Sequence, residues 1–197
     1  MTPRRIFIDH ATGEIVVSLK DKKSSYGEIS LLNHWITGML VLVLLTLGLA
    51  AEFMPYDDAE DLLIFWHSSL GLILIPLVAW RIAWRINQRF PSDEKSTKPE
   101  LGLKRVVQIL LLIAIGLQVI TGPLYLWTEA EALPFFGLFS IPSPFAQEAE
   151  ALHEAVEFVH KKVANPVFLI LIGIHIAGSI KSSVFDKRDT FRNSDTE

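Results

Sequence analysis

Four stretches of this chain are long and apolar enough to cross a bilayer, which takes about 20 helical residues. They run 31–51, 62–82, 106–127 and 163–180. Lipid offers no partner for an unpaired backbone N–H or C=O, so such stretches must be helices that satisfy their own hydrogen bonds. Short polar turns join antiparallel neighbours, so the expected fold is all-α: an integral membrane four-helix bundle running up-down-up-down. Half of the residues are hydrophobic and a fifth are charged, which requires the charges to be segregated from the spans.

The connections and the charges set the orientation. "EFMPYDDAED" is a short polar turn, and "NQRFPSDEKSTKPE" is a charged, proline-bounded loop. In the longest connection, "LPFFGLFSIPSPF" is too rich in proline and glycine for a helix but apolar enough to lie on the interface. Of the eighteen Lys and Arg residues, Lys161 and Lys162 alone fall on the side of the second helix's start, where they face eleven acids including Asp57, Asp58, Glu60, Glu129 and Glu148. The positive-inside rule then makes both termini cytoplasmic. All five tryptophans lie near span ends, where aromatic belts form. The expected organisation is a cytoplasmic extension over 1–30, the membrane domain over 31–185 and a cytoplasmic tail over 186–197. No apolar leader followed by a small-residue cleavage site occurs in the first thirty residues, so no removable signal peptide is expected. The net charge of −4 does not suit a nucleic-acid binder. The absence of cysteine excludes disulfides, thiolate-held metals and haem attached through Cys-x-x-Cys-His.

Six histidines are present. His10 reads as a solvated residue of the extension. Topology turns the others into depths: His34 and His175 fall near the cytoplasmic face, His67 and His160 near the outer face. His160 and His175 are fifteen residues apart, four turns plus roughly 60° and a rise of ~22 Å, so both can serve one side of the fourth helix. His153 shares that side but lies ~33 Å from His175, more than the hydrocarbon thickness of ~30 Å. An ionisable ring inside a span is costly and marks a cavity, a partner or a cofactor. A single such ring reads equally well as a cross-bundle hydrogen bond; four that pair by depth do not. Zinc prefers three or four protein ligands per site, and no Asp or Glu lies inside any span. Paired neutral imidazoles suit haem iron, whose two axial positions they fill.

Gly38 and Gly71 follow His34 and His67 by four residues, and Gly178 follows His175 by three. Each bares the backbone on its ligand's face, where a flat macrocycle could lie; glycine in membrane helices also serves close helix packing. Arg81 and Arg85, one turn apart at the end of span two, are candidates for haem propionates or for topological anchoring. Lys161 and Lys162 could meet outer propionates or an acidic partner.

The segments "SSYGEISLLNHWITG", "HSSLG", "RIAWR", "TGPL" and "HKKVANPVFLILIGIHIAGSIK" resemble the bacterial di-haem cytochrome b561 family, over about Tyr26 to Phe191. Cytochrome b subunits of nickel–iron hydrogenases and formate dehydrogenases share its fold. The resemblance implies two b-type haems between the four helices, carried by His34, His67, His160 and His175. "LHE" at His153 also looks like the family's outer-ligand motif, so it competes with His160. Depth favours His160, which is nearer the apolar run.

The expected function is one-electron transfer across the bacterial inner membrane through two bis-histidine haems. It would run between membrane quinone and an outer-face partner, a periplasmic redox protein or a small molecule. Some family members oxidise superoxide, which the resemblance admits here. The alternatives are a haem-carrying anchor of a dehydrogenase or hydrogenase complex, and a haem-free metal or proton transporter. Membrane lipid is an expected partner, a homodimer is admitted, and nucleic acid is not expected.

Overall fold

The computed structural model describes the backbone of residues 7–8, 15–16, 18–22, 25–55, 58–88, 90–91 and 97–194, and the side chains of the same residues except 7–8, 15–16 and 183–194. His10 and Asp57 lie outside the described residues.

Four helical rods form the body. They are α1 (Glu28–Phe53), α2 (Asp58–Gln88), α3 (Lys98–Thr128) and a fourth rod made of α4 (Glu150–Glu157), a π-helical stretch (Phe158–Ala164) and α5 (Asn165–Ser194). Two short antiparallel pairs complete the elements: β1 (Phe7–Ile8) with β2 (Ile15–Val16), and β3 (Leu133–Phe135) with β4 (Phe139–Ile141). All four rods are long and apolar enough to span a membrane. In the most apolar 18-residue stretch of each, no more than 22 % is buried inside the protein. Leu32, Ile36, Met39, Ile109, Ile113 and Ile170 accordingly point outward, as side chains solvated by lipid tails do.

The helices outrun the apolar stretches at their ends, because helical hydrogen bonding continues until something stops it. At the start of α3 the stop is a capping box: Thr97 accepts from the Glu100 amide, and the Glu100 carboxylate accepts from the Thr97 amide. The fourth rod extends farthest, because the polar turns of 150–157 continue the apolar run as one helix. Its π stretch lies directly before Pro166. A proline there has no N–H to give the preceding turn and pushes against its carbonyl, which favours a widened turn.

The core sits at mid-height. Val41 and Leu44 of α1, Leu74 and Val78 of α2, Ala114 and Ile115 of α3, and Phe168 and Leu171 of α5 form one buried cluster. On α1 the inward stripe is Ser30, Asn33, Thr37, Val41 and Leu44, the three-and-four spacing of a helix face. Its polar half faces one end of the bundle and its apolar half the middle.

Backbone packing follows chain order: α1 against α2, α2 against α3, α3 against the fourth rod. Among the described residues, no Cα of α1 comes within 8 Å of the fourth rod, and none of α2 does either. Among the described residues the bundle is therefore open along the seam between α1 and the fourth rod and across both diagonals. One end carries Arg81, Arg85, Lys98, Lys104, Arg105 and Lys181 and is here called the basic end. The other carries the β3–β4 hairpin.

That hairpin shows that this part of the longest connection is not helical, as its proline and glycine content implied. Three residues separate the paired Phe135 and Phe139; Phe136 and Gly137 have positive φ, 51° and 71°, and the Leu138 amide donates to the Phe135 carbonyl at 2.9 Å to close the turn. Ser69, fully buried on α2, donates to the Pro134 carbonyl and accepts from the Phe136 amide. Leu133 fills the space beneath. The hairpin is thus fastened to α2 two residues beyond His67.

Candidate functional site

The histidines meet where the backbones do not. His34 of α1 and His175 of α5 have ring centroids 6.0 Å apart at the basic end. His67 of α2 and His160 of the π stretch have centroids 6.5 Å apart at the hairpin end. The first pair bridges the open seam, and the second bridges the diagonal between α2 and the fourth rod. All four expected rings are therefore brought together in the two expected pairs.

At the hairpin end each imidazole is oriented by a hydrogen bond on Nδ1. His67 Nδ1 lies 2.9 Å from the Leu44 carbonyl oxygen. A carbonyl only accepts, so Nδ1 carries the proton and Nε2 is left with its lone pair. Gly48, one turn beyond Leu44 on α1, lets the ring in: a Cβ there would sit 3.1 Å from His67 Cε1. His160 Nδ1 lies 2.8 Å from Thr121 Oγ1, and Gly122 approaches the same ring, with a Cβ placing 3.4 Å from Cε1. His153 is turned elsewhere. Its Nδ1 meets Thr128 Oγ1 at 3.1 Å, its Nε2 faces Glu129 at 3.5 Å, and its ring lies 4.8 Å from that of Tyr125. The fourth rod does reach outward past His153, yet His160 is the ring opposite His67.

At the basic end the neighbours are cationic. Arg81 donates to His34 Nδ1 at 2.8 Å and to Asn33 Oδ1 at 3.3 Å. Arg85 is held by Asp21 at 2.9 Å and Ser30 at 3.1 Å, with the Tyr26 and Phe90 rings 5.1 and 5.3 Å from its guanidinium carbon. Ser30 also accepts from Trp84 Nε1. Asp21 additionally accepts from the Gly27 amide, so the segment before α1 is pinned across the end of α2. Beside His34, Asn33 Nδ2 and Thr37 Oγ1 are buried without a hydrogen-bond partner.

The remaining candidates fall as follows. A Cβ on Gly38, Gly71 or Gly178 would meet nothing within 4 Å. Lys161 binds the Tyr125 hydroxyl and Glu157, and Lys162 binds Glu52. Among the described residues no three His, Asp or Glu side chains converge on one point. Sequence reasoning missed Thr121, Thr128, Gly48 and Gly122. A hydroxyl and a glycine side by side in the otherwise apolar "VITGPL" was the available signal; nothing in the chain marked which ring they would meet.

Four membrane-length helices with half-buried imidazoles meeting in two pairs define the class: an all-α integral membrane four-helix protein. The sequence profile of prokaryotic cytochrome b561 matches residues 25–193, and the chain belongs to that family. Cytochrome b561 homolog 2 of Escherichia coli (strain K12) is 28% identical over 185 residues, covering 89% of this chain and 94% of that protein. The protein is thus a membrane cytochrome that transfers electrons on b-type haem.

Proposed function

We propose that the chain carries two haems, one held by His34 and His175 and the other by His67 and His160, and passes single electrons between the two membrane faces. The observation that carries this reading is the ring separation of 6.0 and 6.5 Å across gaps that no backbone contact closes. Two imidazoles on one metal, each bonded at about 2 Å, place their ring centroids roughly 6 Å apart. The surroundings fit a flat macrocycle: Gly38 and Gly71 leave open space beside their histidines. Asn33 Nδ2 and Thr37 Oγ1 supply unpaired polar atoms at the basic end.

Haem held by two imidazoles would supply a one-electron carrier, suited to electron transfer rather than oxygen activation. The chain's own residues orient and insulate. The Leu44 carbonyl keeps the Nδ1 proton of His67 and thereby directs Nε2 inward. Arg81 serves as counter-charge for a haem carboxylate: its other described partner is the neutral Asn33 amide, and a charge-assisted pair is roughly twice as strong as a neutral one. Leaving His34 Nδ1 restores that ring's proton there. Gly71 and Gly38 keep side chains off the macrocycle faces. The central apolar cluster separates the two levels with no titratable group of its own.

By the positive-inside rule the basic end faces the cytoplasm of a bacterial inner membrane, with both termini there. The electron partners are then quinone in the lipid and, at the hairpin end, a periplasmic redox protein or a small molecule such as superoxide. The deciding experiment is the visible spectrum of the purified protein with haem stoichiometry. Two haems per chain and a b-type α-band on reduction are expected. Absence of the band would sink the proposal, and stoichiometric co-purifying subunits would make the chain an anchor of a larger complex instead.

A further inference from the structure

The third helix carries no histidine, yet it touches a paired one. Thr121 Oγ1 stands 2.7 Å from the Leu117 carbonyl, one turn back on α3, and 2.8 Å from His160 Nδ1. A hydroxyl has one proton, and a carbonyl can only accept it. With that proton committed to Leu117, the Oγ1 lone pair is what His160 meets, so the imidazole donates from Nδ1. Thr121 is buried, with 8 % of its surface exposed, so water does not compete for the same lone pair. Gly122 removes the side chain that would otherwise press on Cε1 of the ring.

We infer that Thr121 is the positioning residue of His160: its hydroxyl fixes the Nδ1–H tautomer and the ring plane, and it tunes the haem at the hairpin end through that ligand. This rests on the haem reading above. The need for such a device comes from the π stretch. His160 sits in a widened turn, where the ring's direction is less constrained by regular helix geometry than it would be on α1 or α5. An outside acceptor supplies what the local backbone does not. An acceptor on the far ring nitrogen also raises ligand basicity, and loss of such a partner typically costs 10–100-fold in metal affinity.

The test uses the intact, haem-loaded protein in detergent or nanodiscs, with Thr121→Val, Thr121→Ser and Thr121→Ala compared by redox titration and by low-temperature electron paramagnetic resonance. Val keeps the shape and loses the acceptor; Ser keeps the acceptor. The expected result is that Thr121→Val raises the potential of one haem component and changes its resonance signature, while Thr121→Ser stays near the wild type. A tenfold loss of affinity for oxidised over reduced haem corresponds to about 59 mV for one electron. The component that moves should be the one lost in His160→Ala. Thr121→Ala removes the hydroxyl without adding bulk and repeats the test if Thr121→Val does not accumulate. Unchanged potentials and spectra, equal movement of both components, or a Ser variant that behaves like Val would overturn the inference. A protein that binds no haem at all would instead overturn the reading beneath it, so the two failures are separable.

Discussion

The two histidine pairs share one geometry and differ in what surrounds them. At the hairpin end the Nδ1 atoms face a carbonyl and a hydroxyl, both neutral acceptors, and glycines admit the ring edges. At the basic end His34 faces a guanidinium, a second arginine lies one turn on, and orphaned polar atoms flank the ring. One pair is oriented by short-range hydrogen bonds from neighbouring helices; the other is set in a field of positive charge. On the proposed haem reading, the same imidazole pair is tuned by two different means in one bundle: local ligand basicity at one level, net charge at the other.

The largest expected effect removes one level and leaves the other. His34→Ala and His175→Ala should each abolish the same haem component, and His67→Ala and His160→Ala the other. Redox titration checks this, and loss of a common component in His34→Ala and His67→Ala would break the pairing. A sizeable effect on stability is expected from Asp21→Asn, which removes the carboxylate from the largely buried Asp21–Arg85 ion pair. The side chains of the pair are 2 % and 13 % exposed, and breaking a buried pair by removing one partner costs about 3–5 kcal/mol. A fall in melting temperature, with the potential of the hairpin-end component unchanged, would confine that ion pair to the basic end. No change in melting temperature would show the pair to be solvated.

Smaller effects sharpen the contrast. Gly71→Leu should lower occupancy at the hairpin end although no ligand changes, because a branched side chain enters the space beside His67. Full haem content would return Gly71 to helix packing. Arg81→Ala should lower the potential of the basic-end component alone, since a nearby cation favours the reduced form, which carries one positive charge fewer. Equal shifts in both components would deny the charge asymmetry. The smallest effect is assigned to His153→Ala: both haems should stay bound, because its ring is engaged by Thr128, Tyr125 and Glu129. Loss of the hairpin-end component there would exchange the roles of His153 and His160.

The legible part of this protein is the part that periodicity, length and charge encode along one helix. Four apolar runs required four spanning helices, because lipid leaves backbone groups no other solution. Antiparallel order then converted the positions of His34, His67, His160 and His175 into depths, and the rings pair by depth as the arithmetic implies. The resemblance in "LLNHWITG" and "HKKVANPV" pointed to the same family that the profile match establishes.

Tertiary structure alone decided the lateral arrangement. Rotation of each helix about its axis brings Thr121 to His160, Leu44 and Gly48 to His67, and Arg81 to His34. It also commits Arg85 to Asp21, a residue sixty-four positions away and outside the spans. Depth is a one-dimensional quantity that a chain states by counting residues at a fixed rise. Which side chain faces which depends on packing between separate helices, and on a widened turn before Pro166 that shifts the phase of everything beyond it.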